Sequence, residues 1–209
     1  MRGQAGVARN DGWDMPFEAM SAVADEDLLA AYAAGDATAA RTLTQRLTPR
    51  VFGHAMRMLG GDRAEAEDVA QEALLRLWRA APGWRMGEAK VTTWLYRVTA
   101  NLCIDRIRRR RSGPDLDSVP EPEDEAPSAA MGMQQQARAE ALQRALDQLP
   151  DRQRQAVILR HIEGLANPEI AEIMDIGPRA VESLVARGKR ALEAALIGRR
   201  DELGYEGDD

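Results

Sequence analysis

A chain of 209 residues, 44% apolar but only 4% aromatic, can bury the core of one medium domain or two small ones, and its abundant Ala, Leu, Arg and Glu favour helix. Cys103 is the only cysteine and His54 and His161 are the only histidines, which excludes a disulfide framework and a Cys/His zinc site and suits a reducing compartment. The formal net charge of -6 counts against nucleic-acid binding unless basic residues are gathered locally. No apolar stretch approaches the roughly 20 residues that span a bilayer, and the N-terminus lacks the apolar core of a signal peptide, so a soluble cytoplasmic protein is expected.

Residues 1–24 hold glycines, a proline and no sustained period, and read as a mobile arm in which Trp13 and Phe17 are the docking candidates. Asp25 or Asp27 is expected to cap a short helix carrying Leu28, Leu29 and Tyr32, ended by Gly35. The second helix turns Leu43, Leu47, Val51, Phe52, Ala55 and Leu59 inward, with Pro49 expected to kink or break it. Asp62 and Glu65 have capping-box spacing for a third helix with Val69, Ala70, Ala73, Leu74, Leu77 and Trp78 along neighbouring ridges. A fourth, starting near Thr92 or Thr93, buries Leu95, Val98 and Leu102 and runs into an arginine block, completing one helical domain over 25–111.

Residues 112–134 carry prolines and acidic residues without a single basic one, the pattern of a flexible acidic linker. Helical periodicity resumes near Gln135 with Ala141, Leu142, Ala145, Leu146 and Leu149; Pro150 and Asp151 break and recap it, and the next helix carries Ala156, Val157, Leu159 and Ile162 to Gly164. Asn167 is the expected N-cap of a short helix with Pro168 at its first position and Ile170, Ala171 and Met174 inside. Pro178 opens a longer basic helix after a turn at Ile176 and Gly177, so 135–197 reads as a second small domain holding a helix-turn-helix, followed by an acidic tail over 198–209. The fold class is therefore all-α, two small helical domains on a flexible linker.

Three constellations carry chemistry. Arg179, Ser183, Arg187, Lys189 and Arg190 lie on or near the last helix, where they can reach phosphates and base edges of a duplex. Asn101, Asp105 and Arg108 recur at i, i+4 and i+7 opposite the buried stripe of the fourth helix, and Arg106, Arg108, Arg109, Arg110 and Arg111 add attraction to a nucleic-acid backbone. Trp84, Trp94 and Tyr96, just upstream, are either stacking platforms for single-stranded bases or core residues. Asp68, Gln71 and Glu72 share a helix face with Leu75, a polar patch edged by apolar surface that suits docking to another protein's helix. No nucleotide-binding glycine loop, metal cluster or catalytic constellation is present, so neither cofactor nor enzymatic activity is expected.

The order "AEDVAQEALLRLWRA", "TWLYRVTANLCIDRIRRRR", acidic linker, "ALDQLPDRQRQAVILRHIEGLANPEIAEIMDIGPRAVESLVARGKRAL" resembles the bacterial RNA polymerase sigma factors of the extracytoplasmic-function (ECF) subfamily, over about residues 25 to 197. The resemblance implies that the first domain binds the clamp helices of the polymerase beta-prime subunit through Asp68, Gln71, Glu72 and Leu75. It implies that Asn101, Asp105 and the adjoining arginines meet the separated minus-ten element, and that the second domain reads the minus-thirty-five element while holding the beta flap. An anti-sigma factor is an implied further partner, in a stress or envelope response. Promoter elements about 17 base pairs apart lie roughly 58 Å from each other, and a linker of about 22 residues reaches roughly 70–80 Å, enough to bridge them. Glu182 and Leu184 stand where relatives often carry basic or polar residues, so a protein that mimics a sigma factor and titrates an anti-sigma factor without reading promoters is the alternative.

Overall fold

The computed structural model describes residues 23–112 and 130–197, with the backbone alone for 130–134. The expected arm, except its last two residues, most of the expected linker and the expected tail lie outside these residues. Among the described residues there are helices and no strands.

The first helix, α1 (Asp25–Ala33), starts from Ala24 without a side-chain cap: Asp25 instead forms an ion pair with Arg46 at 2.6 Å, and the three acids of the first turn serve the helix dipole. Asp36 caps the next helix, α2 (Ala37–Met58), accepting from the Thr38 and Ala39 amides. This helix runs through Pro49 unbroken. Pro49 and Gln45, whose carbonyl loses its partner, are both exposed, so water serves the carbonyl while Leu43, Leu47, Val51 and Ala55 hold the buried side in register. Asp62 caps α3 (Arg63–Ala80) through the Glu65 amide at 3.0 Å, and a single 3-10 turn (Ala81–Gly83) ends it. The fourth helix, α4 (Val91–Ser112), begins a residue earlier than expected, its Val91 amide held by Glu26 of α1 at 2.8 Å.

Helices α1 to α4 surround Leu28, Leu29, Leu43, Leu47, Met58 and Leu77, all at or near zero exposure. Full burial of each such side chain stabilises the fold by about 1.5–3 kcal/mol.

The second domain starts with α5 (Ala130–Asp147), so 130–134, expected to belong to the linker, is helical. After Pro150 comes α6 (Asp151–Val157), which widens into a π-helical turn (Ile158–Ile162) and stops at Gly164, where φ is +72° and glycine avoids the strain. Helix α7 (Asn167–Met174) is capped one residue before the expected position: the Ala166 amide donates to the Glu169 carboxylate at 3.0 Å, drawing Asn167 into the first turn. Asp175 in the left-handed region (φ 51°) makes the sharp turn into α8 (Pro178–Ile197).

Helix α8 lies so close on α6 that a Cβ at Gly188 would collide with Val157, and Ile170, Ile173, Met174 and Val181 fill the remaining space. Tyr96 of α4 belongs to this second cluster, while Leu146, Leu149, Val157 and Ile158 belong to the first, so each of the two apolar clusters draws residues from both domains.

Candidate nucleic-acid interface

The helix-turn-helix presents its second helix outward. On α8, Val181 and Gly188 are buried and Leu184, Val185 and Leu192 half-buried, leaving Arg179, Ser183, Arg187 and Arg190 together on the opposite, exposed face, with exposed Lys189 at its flank beside Glu193. Leu184 is thus a packing residue that closes the second core, and Glu182 is the exposed departure.

On α4 the periodicity separates faces as expected. Leu95 and Leu102 are buried and Val98 half-buried, and Asn101, Asp105 and Arg108 are exposed on one stripe. The arginines divide. Arg106 is tucked against α3, donating to Glu65 with Asp68 at 4.0 Å, and this draws the Glu65 side chain away from a reciprocal capping bond. Arg110 reaches Asp62 at 2.6 Å, and Arg111 grips Asp151 with two bonds of 2.8 and 2.9 Å. Arg108 and Arg109 are exposed and form no ion pair among the described residues.

The three candidate stacking aromatics face the core in whole or part. Trp84 and Trp94 are half-buried and meet edge to face at 5.8 Å, while Tyr96 is buried and donates its hydroxyl to Glu163 at 2.6 Å. The candidate protein-docking face of α3 is open: Asp68 and Gln71 are exposed, Leu75 is 48% exposed, and Glu72 is engaged by Arg76 at 2.8 Å, whose hydrogen bond lowers its carboxyl pKa.

Residues 43–113 match the sequence profile of Sigma-70 region 2 and residues 139–192 that of Sigma-70 region 4. The chain is 34% identical over 174 residues to the ECF RNA polymerase sigma factor SigM of Mycobacterium tuberculosis (strain ATCC 25618 / H37Rv), spanning 83% of this chain and 85% of that protein. It belongs to the ECF RNA polymerase sigma factors. Two solved complexes share the fold: CnrH with the cytosolic domain of CnrY (TM-score 0.63, 24% identity, 84% of this chain and 99% of that one), and the sigma factor RpoE with the anti-sigma factor NepR from Bartonella quintana (TM-score 0.60, 22% identity, 75% and 96%).

As a sigma factor, the protein directs core RNA polymerase to promoters, and polymerase and promoter DNA are its partners; the family is not one of enzymes. No helix among the described residues is long and apolar enough to cross a membrane.

The sigma factor also buries polar groups that periodicity did not single out. His54 is wholly buried, edge-on to Tyr96 at 5.3 Å, and neither ring nitrogen has a hydrogen-bond partner, the Glu163 carboxylate standing off at 3.9 Å. Burial, with Arg57 nearby, lowers its pKa from 6.5 to about 3. The native ring is therefore neutral while the unfolded ring takes up a proton below about 6.5, so this contribution to stability is complete above that pH and is lost as pH falls towards 3. Glu72 and Glu169, both lowered from 4.5, act only further down. Denaturant unfolding between pH 7 and 5 is expected to show stability falling with a limiting slope of about 1.4 kcal/mol per pH unit. His54→Gln should flatten that slope, and an equal slope in both proteins would refute the assignment.

Proposed function

We propose that α3 docks on the beta-prime clamp helices through Asp68, Gln71, Glu72 and Leu75, and that Asn101, Asp105 and the arginines at the end of α4 hold the separated strand of the minus-ten element. Arg179, Ser183, Arg187, Lys189 and Arg190 approach the minus-thirty-five duplex, and the rest of the second domain holds the beta flap. The single observation that carries this reading is the pairing, in one chain, of an exposed cationic helix-turn-helix face on α8 with an exposed acidic and apolar face on α3. Arg106 has a positioning role: its bond to Glu65 joins the strand-binding end of α4 to the polymerase-binding helix. The protein works in the bacterial cytoplasm, serves a stress or envelope response and is held by an anti-sigma factor. The RpoE complex with NepR supports that last element through the shared fold.

Run-off transcription with purified core polymerase, on genomic fragments that include the region upstream of the protein's own gene, tests the reading. Discrete new transcripts are expected; tight binding to core without transcripts would overturn it in favour of a sigma mimic. Alanine at Asp68, Gln71 and Glu72 together is expected to weaken core binding about tenfold or more, because residues in a docking centre each cost above about 1 kcal/mol when truncated. Unchanged binding would remove these residues from the interface.

A further inference from the structure

The last two turns of α8 carry apolar residues that the second domain leaves open. Leu192 and Leu196 repeat at i and i+4, and Ile197 stands beside them at 65% exposure. With Leu142 and Leu146 of α5 and Val157 of α6 they line an open groove of about 840 Å³. Arg138 and Lys189 line it too, and Glu193 is the one carboxylate among its described lining residues. Glu193 lies 3.6 Å from Lys189, but both side chains are more than half exposed, so the pair is weak and the groove stays net positive. An apolar floor edged by cations suits a segment that is apolar at its centre and acidic at its flanks.

The chain that follows α8 has that character. The helix ends at Ile197, on the groove itself, and Gly198 comes next, the residue type that ends a helix and lets the chain turn back. From Asp201 to Glu206 the sequence reads "DELGYE", with Leu203 and Tyr205 among carboxylates and no basic residue. In an extended chain positions i and i+2 share a side, so Leu203 and Tyr205 can face one floor while Glu202 and Glu206 point away from it. Reach is sufficient: from Ile197 to Leu203 an extended chain spans up to about 20 Å, whereas Lys189 lies only about 12 Å back along α8.

We propose that the groove between α5 and α8 is a docking site for the chain's own segment after α8, with Leu203 and Tyr205 on its apolar floor and the flanking carboxylates beside Arg138 and Lys189. The short tether holds that segment at an effective concentration of about a millimolar, so contacts too weak to last between separate molecules suffice within one. A partner that uses this face has to displace the segment, and its apparent affinity is reduced in proportion to the fraction of molecules whose groove is empty. The docking does not rest on the sigma-factor reading.

The test uses the full chain. Gly204→Cys is combined either with Ala139→Cys, an exposed position in the groove, or with Arg190→Cys, on the outer face of α8 and exposed. Position 190 is about 10 Å back along the helix from Ile197, well within the segment's reach, so it reports what a free segment does. Buried Cys103, its thiol pushed up to about 12 by burial, stays out of the exchange. In a glutathione buffer the disulfide to position 139 is expected to form about tenfold more readily than that to position 190, and Leu203→Ser with Tyr205→Ser should bring the two together. In a second arm the chain carrying Leu203→Ser and Tyr205→Ser, its groove vacated, is expected to bind a fluorescein-labelled peptide of residues 198–209 about tenfold more tightly than the unaltered chain does. Equal disulfide formation at positions 139 and 190 with the segment unaltered, or equal peptide binding by the two proteins, would overturn the docking. Disulfides between chains rather than within one would give the groove to a second copy, and tighter binding of a peptide of residues 10–20, carrying Trp13 and Phe17, would give it to the segment before α1; either result overturns the proposal.

Discussion

Replacing Arg108, Arg109, Arg110 and Arg111 together with alanine is expected to reduce promoter opening by the sigma–polymerase complex and to flatten its dependence on salt. Each arginine that meets a phosphate of a single strand releases a condensed counterion and contributes about 0.7 to the slope of log K against log salt. Four such contacts amount to about 3, which over a fourfold change in salt is roughly a sixtyfold change in affinity. Arg108 and Arg109 stand free of ion pairs among the described residues, so Arg108→Ala with Arg109→Ala should account for about half of the slope. The remainder belongs to Arg110 and Arg111, which must first part from Asp62 and Asp151. The measurement is open-complex formation across a salt series; an unaltered slope in the fourfold variant would show that none of these arginines contacts a phosphate.

Arg154→Ala is expected to destabilise the protein by about 2–5 kcal/mol, because a buried carbonyl that loses its charged donor costs about 1–3 kcal/mol. Its guanidinium, 8% exposed, donates to three carbonyls at 2.9 Å: Leu146 and Asp147 at the end of α5 and Met58 at the end of α2. These are helix C-terminal carbonyls without intrahelical donors, at the negative ends of two helix dipoles, and one planar cation satisfies all three. Removing it takes this donor from the Met58 and Asp147 carbonyls, while Leu146 keeps the Leu149 amide at 3.0 Å. Arg154→Lys keeps the charge but not the fork, so it should recover only part of the loss. Denaturant midpoints of the three proteins decide the matter, and a loss below about 1 kcal/mol for Arg154→Ala would show that water replaces the guanidinium.

Helix periodicity and cap chemistry carried much of the fold into the sequence. Asp62 before an apolar ridge pattern and the spacing of Pro168, Gly177 and Pro178 are local signals, because they concern groups a few residues apart on one helix. The displaced cap at Ala166 has a tertiary side: Glu169, which captures the Ala166 amide, also binds Lys90 of the other domain at 2.7 Å. Pro49 leaves its helix unbroken for a similar reason, since the packing of Leu47 and Val51 outweighs one hydrogen bond lost on the solvent side. In the sequence Glu163 is one acid before a glycine, and nothing in its neighbours indicates that it enters the other domain.

The sequence by itself determined an all-helical chain with a helix-turn-helix, an arginine-ended helix and an exposed acidic face on α3, because a 3.6-residue period decides which side chains share a face. Only the tertiary structure decided which arginines are at liberty. Arg106, Arg110 and Arg111 find Glu65, Asp62 and Asp151 at separations of 41, 48 and 40 residues, while Arg108 and Arg109, in the same run, find no ion-pair partner among the described residues. Residues adjacent in one run of like charge are chemically alike along the chain; which of them meets a carboxylate depends on how the helices cross, and that is settled by packing the apolar faces.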